Sequence, residues 1–267
     1  MKVIYTFKVV PGIDLLGTDL LYNITRLSTH YSSKHYRTEL YCDSESCKFF
    51  EHPDFKFNKI NILHELDEYS GSIFSIPKMI TCIHQKEPYI HLDFDAFIFR
   101  KLNLKADVTF GYYDADYSIY PITKHSEYVN NVYINTYEKY VKSKLPEEEY
   151  KDWQWKIFPN NSLLGVQNYR VVSQLYTYIL QKFNSMIYEP DPDAHIAQFL
   201  EQYLLLTYLE FNSISFETIY KNNPINIAKQ DILKKIKWFK YLHLQDFRIA
   251  GTHSNNLYNI FINELNF

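Results

Sequence analysis

Three cysteines among 267 residues, Cys42, Cys47 and Cys82, show no paired C-x-x-C spacing, which excludes a disulfide framework and a structural zinc site. So few cysteines suit a reducing compartment, and the cytoplasm is the expected location. No apolar run approaches the roughly 18 residues of a membrane span. The opening MKVIYTFKVV is too short, and too interrupted by Lys8, for a secretory signal. A soluble or membrane-peripheral protein is expected. An excess of one charge is also missing: the formal net charge of -3 gives no overall field for a polyanion, so nucleic acid is not an expected partner. Internal repeats, low-complexity tracts and linkers are absent from the sequence.

What is present is apolar and aromatic. A hydrophobic content of 46% is ample for one large core, and a single domain over 1–267 is expected, with a first half over 1–106 and a second over 107–267. KVIYTFKVV (2–10) reads as a strand, and TDLLYNITRLSTHYSSKH (18–35) has Leu20, Leu21, Ile24 and Leu27 at helical spacing. YRTELYCD (36–43) and KINIL (59–63) read as further strands, a helix begins near Ser75-Ile76-Pro77, and YIHLDFDAFIF (89–99) reads as one strand. This alternation predicts an α/β fold with a Rossmann-like, mostly parallel sheet flanked by helices, and ligands in such sheets bind beyond the carboxyl ends of the strands. Farther on, 107–122 predicts a strand and loop, 127–145 a helix, 160–166 a strand, and 169–186 and 194–211 the clearest helices.

The strand over 89–99 raises a question of charge. With a period of two, His91, Asp93 and Asp95 would share one face, and two carboxylates roughly 6 to 7 Å apart repel by about 2.5 kcal/mol at an effective dielectric near 20. A hard divalent cation, Mn²⁺ or Mg²⁺, would offset that in a cleft.

HLDFDAFIF resembles the DxD strand of GT-A-fold glycosyltransferases. The second strand ends in acid as LYCD, NNSLLG resembles the segment that lines the donor sugar, and HLQDFR (243–248) resembles the family's H-x4-K with Arg248 in place of Lys. The resemblance implies a metal-dependent glycosyltransferase, a hexosyl- or related transferase, moving a sugar from a nucleotide-diphosphate sugar, such as a UDP-sugar, to a glycan, lipid-linked or other acceptor. It implies Asp93, Asp95 and His243 as metal ligands, with Asp93 also near the ribose, and Lys78 and Arg248 at the phosphates. Tyr5, Thr6 and Asp43 would meet base and ribose, and Asn160 and Asn161 the sugar hydroxyls. Glu201, Asp191 and Asp193 are the candidates for a catalytic base, which an inverting enzyme requires. KQDILKKIKWFKYL (229–242) reads as an amphipathic helix, either packed on the core or resting on an anionic membrane. Two other functions fit the same residues: a non-catalytic carbohydrate-binding or transferase-like module, and a metal-dependent phosphoesterase.

Overall fold

The computed structural model describes residues 1–10, 16–114, 158–184, 197, 199–220 and 239–243. Within them β1 (Lys2–Phe7), α1 (Asp19–Ser33), β2 (Arg37–Cys42), α2 (Ser44–Phe50), β3 (Lys59–Ile62), α3 (His64–Glu68), α4 (Ile76–Ile83) and β4 (Tyr89–Leu92) follow in alternation. Then come β5 (Ala96–Ile98), β6 (Val108–Asp114), β7 (Phe158–Val166), α5 (Tyr169–Lys182), a π-helical turn (Phe199–Tyr203), α6 (Leu204–Phe211), β8 (Phe216–Thr218) and β9 (Tyr241–His243).

Seven strands form one sheet in the order β3-β2-β1-β4-β7-β6-β8, and β5 pairs with β9 beside it. β3, β2, β1 and β4 run parallel; β7 lies antiparallel to both β4 and β6; β8 is parallel to β6. This is the mixed α/β class expected. Alternation of side chains splits the core in two. Val3, Tyr5, Leu40, Ile90, Leu92 and Leu163 pack with Leu21, Ile24 and Leu27 of α1, whereas Ile4, Tyr89 and Leu164 pack with Met79 of α4 and with α5 and α6. Local chemistry sets the helix starts: the Thr18 side chain accepts from Leu21 N at 3.2 Å, and Asp43 accepts from Ser46 N at 2.8 Å to begin α2. Among the described residues no helix is long and apolar enough to cross a membrane.

Two sequence expectations are corrected here. The strand over 89–99 is broken: the amide of Asp93 donates to Ser162 O at 2.9 Å, and Ala96 N turns back to Asp93 O at 3.0 Å, so β4 stops at Leu92 and β5 starts at Ala96. The chain thereby leaves the main sheet, and a single period of two does not run through both acids. The amphipathic helix over 229–242 also fails at its end, because Tyr241 and Leu242 are buried in β9; residues 229–238 lie outside the described set. The helix over 127–145 lies outside it too.

Gly111 marks a register shift in the β6–β7 pair, and a Cβ there would stand 2.8 Å from Tyr241 Cε1 and 2.9 Å from its hydroxyl. The missing side chain is what lets the β9 tyrosine lie over β6. Gly111→Ala is therefore expected to cost about 1 to 3 kcal/mol of stability through overpacking. A urea titration reads this directly, and a loss below a few tenths would show that Tyr241 can move aside freely.

Candidate functional site

The carboxyl ends of β1 and β4 and the start of α4 meet at one cavity of about 190 Å³, lined by Thr6, Phe7, Lys8, Val10, Phe74, Ser75, Pro77, Lys78, His91, Asp93 and Glu201. That is where a parallel sheet leaves room for a ligand, since each strand is followed by a turn away from the edge. Beyond Asp93, the turn to β5 carries Asp95 next to β9, whose pairing sets Ala96 opposite His243. Ligand atoms from Asp93, Asp95 and His243 all lie within 4.8 Å of one another. Donors about 2.1 Å from one ion stand roughly 3 to 4.2 Å apart, so this trio needs to draw in by less than an ångström to share a cation.

The supporting contacts suit such a role. His243 Nε2 lies 3.4 Å from Asp95 Oδ1, and its Nδ1 lies 3.0 Å from the Tyr112 hydroxyl. With Nδ1–H donating to Tyr112, Nε2 presents a lone pair towards a carboxylate. Both residues are buried, Asp95 at 5% exposure and His243 at 3%, and in that tautomer a cation could sit between the two atoms. Sequence reasoning missed Tyr112; its partner is 131 residues away, and nothing local marks it.

Lys78 sits on the other side of Asp93. Its ammonium lies 3.2 Å from Asp93 Oδ1 and 2.6 Å from Glu201 Oε1, and it donates to the carbonyl of Asn161. Burial opposes its charge, yet the two carboxylates raise its pKa well above the ordinary value. Burial pushes the Asp93 carboxyl up, but the Lys78 ammonium outweighs this and holds it below the usual carboxylate range. For Glu201, burial prevails over Lys78 and the pKa rises. The π-helical turn that carries Glu201 interrupts the helical register of 199–211 at this acid, turning it into the cavity wall; such turns recur at functional sites.

His91 is buried at the base of the cavity, with Nε2 at 2.8 Å from Thr6 Oγ1, and burial, reinforced by Lys78 against the pull of Asp93, drives its pKa well below the ordinary value. The sign follows: an imidazole held neutral in the fold and free to protonate when unfolded supplies stability above about pH 6.5 that is lost as pH falls below it. Unfolding should cost about 1.4 kcal/mol less for each pH unit below that value, and His91→Gln should flatten this slope in thermal unfolding between pH 7.5 and 5.5. Equal slopes for the two proteins would exclude His91 as the source.

Several expected residues are placed elsewhere. Tyr5 has no exposed surface; its hydroxyl is hydrogen-bonded with Ser28 at 3.1 Å and Ser32 at 2.9 Å under α1, on the opposite face from Ile4, so it does not stack on a ligand. Asp43 is 1% exposed, does not line the cavity, and has one oxygen capping α2 and the other paired with Lys8 Nζ at 3.0 Å. Asn160 and Asn161 are buried and do not line the cavity: Asn160 Oδ1 accepts from Ser162 N at 3.0 Å, and Asn161 Nδ2 donates to Glu201 O at 3.1 Å. Thr6, Lys78, Asp93 and Glu201 do line it. Asp191, Asp193 and Arg248 lie outside the described residues. Phe7, Lys8, Val10 and Phe74 were not singled out by sequence, because nothing in a single chain marks which loop residues face a cavity.

The fold and site thus define an α/β protein with a carboxylate and histidine cluster at the edge of its parallel strands. The chain belongs to DUF6734, a family of unknown function, whose sequence profile matches residues 20–262. No curated protein matches it. Among solved structures, the glycosyltransferase GlyE of Streptococcus pneumoniae TIGR4 aligns over 98% of this chain and 63% of its own, at 7% identity and a TM-score of 0.46. The apo-form of GlyE aligns over 98% and 62%, at 8% identity and a TM-score of 0.47. The chain spans less than two thirds of the length of those chains.

Proposed function

We propose that the protein is a metal-dependent glycosyltransferase whose donor is a nucleotide-diphosphate sugar. One observation carries the reading: Asp93, which lines a cavity on the carboxyl edge of the sheet, has Asp95 and His243 within 4.8 Å behind it, although His243 comes from a distant part of the chain. Two carboxylates and one imidazole fit a borderline-hard ion, and the imidazole favours Mn²⁺ over Mg²⁺. Bound there, the ion would neutralise charge developing on a departing diphosphate.

The chain's own residues do the rest. Tyr112 holds the His243 ring through Nδ1, which turns Nε2 towards Asp95. Thr6 and His91 form a hydrogen-bonded floor, and Phe7, Val10 and Phe74 give the cavity an apolar wall. Glu201 faces the same cavity, but as partner of Lys78 its carboxylate is engaged, which makes it a positioning residue before it is a base. The sugar goes to a glycan, lipid-linked or other acceptor, Arg248 is a second phosphate contact, and Asp191 and Asp193 remain the candidates for a base.

A nucleoside diphosphate should raise the melting temperature only when Mn²⁺ is present, through preferential binding to the native state. Screening UDP, GDP and their sugars by thermal shift, with and without EDTA, needs no acceptor. Equal shifts in EDTA would remove the metal from the account; release of free sugar from one donor would then separate a transferase from a binding module.

A further inference from the structure

We infer that Lys78 is an internal counter-ion to Asp93 that must be exchanged when the site is filled, so that divalent cation and diphosphate each make room for the other. This rests on the proposed function of the same site. A lysine ammonium has three protons and no more. Around Lys78 three acceptors already surround it: Glu201 Oε1 at 2.6 Å, the Asn161 carbonyl, and Asp93 Oδ1 at 3.2 Å. The side chain is 8% exposed, so water does not supply an alternative partner at little cost.

Lys78 therefore cannot reach a phosphate by adding a contact; it has to give one up. The contact to Asp93 is the longer ion pair, and the one whose carboxylate is 39% exposed to the cavity. Glu201 and Asn161 belong to the π-helical turn and to β7, which lock the other two acceptors to the fold. The exchange falls on Asp93. While the ammonium holds that carboxylate, a cation arriving alone meets a neutralised ligand. A diphosphate that draws the third proton of Lys78 to itself returns a full negative charge to Asp93. Conversely, a cation on Asp93 leaves Lys78 with a donor for the diphosphate. Glu201 keeps Lys78 from leaning wholly onto Asp93, which gives it a function distinct from proton transfer.

Two variants should shift Mn²⁺ affinity in opposite directions. Glu201→Gln leaves Lys78 with Asp93 as its one charged partner among the described residues and should weaken binding of Mn²⁺ alone at least threefold. Lys78→Met combined with Glu201→Gln removes both charges, avoids an orphaned buried carboxylate, and should tighten Mn²⁺ alone at least fivefold. In that double variant inorganic pyrophosphate should tighten Mn²⁺ by a factor at least fivefold smaller than in the unmodified protein. Electron paramagnetic resonance of free Mn²⁺, with MnCl₂ alone and with pyrophosphate, reads all of these without enzymatic turnover, and circular dichroism confirms folding of each variant. A double variant that binds Mn²⁺ no tighter than the unmodified protein overturns the exchange while leaving the metal site standing. Failure of the unmodified protein to bind Mn²⁺ under either condition overturns the metal site and the exchange with it.

Discussion

Asp95→Asn is expected to abolish the Mn²⁺-dependent stabilisation by a nucleoside diphosphate while the protein itself still folds. Asn keeps the shape of the side chain and removes its charge, so any loss reads the electrostatic role of the residue. The carboxylate is 5% exposed and faces His243 Nε2 at 3.4 Å, leaving a metal one short path between them. A ligand at one hundred times its dissociation constant contributes about 2.7 kcal/mol, and this is the increment expected to vanish. His243→Ala should act in the same direction and more strongly than His91→Ala, because His91 is spent on Thr6 at 2.8 Å. Persistence of the Mn²⁺-dependent shift in Asp95→Asn would exclude it as a ligand.

Lys78→Met should be the most destabilising single change in the site. It strands Glu201, 4% exposed and 2.6 Å from the lost ammonium, and breaking one side of a buried pair costs about 3 to 5 kcal/mol. Adding Glu201→Gln removes the stranded charge, and most of the loss should return. The double-mutant cycle therefore gives a large coupling, readable in guanidinium unfolding. A loss below about 1 kcal/mol for Lys78→Met would mean that the pair is dispensable to the fold.

What the sequence made legible followed from local rules. α1 and β2 came out within two residues of their expected bounds, and β1 within three, because apolar periodicity is a short-range signal. Asp93, Asp95 and His243 were grouped through family resemblance, and the structure places them together. The break at Asp93 was hidden because it depends on an amide reaching Ser162 O, a partner on β7. Tyr5 was misread for a different reason: strand alternation says that neighbours face opposite ways, but not which face holds α1 and its serines. The pairing of Lys78 with Glu201 had no sequence signal either. Each looked like a residue facing a cleft, and only the fold of β7 and the π-helical turn shows that they meet.

The central claim is that Asp93, Asp95 and His243 share one divalent ion, and Mn²⁺ anomalous scattering from crystals grown with UDP tests it most directly. The account predicts one peak about 2.0 to 2.3 Å from a carboxylate oxygen of Asp95 and from His243 Nε2, with the diphosphate on its cavity side towards Lys78. A peak elsewhere, or UDP bound in the cavity with no anomalous signal at these three residues, would contradict it.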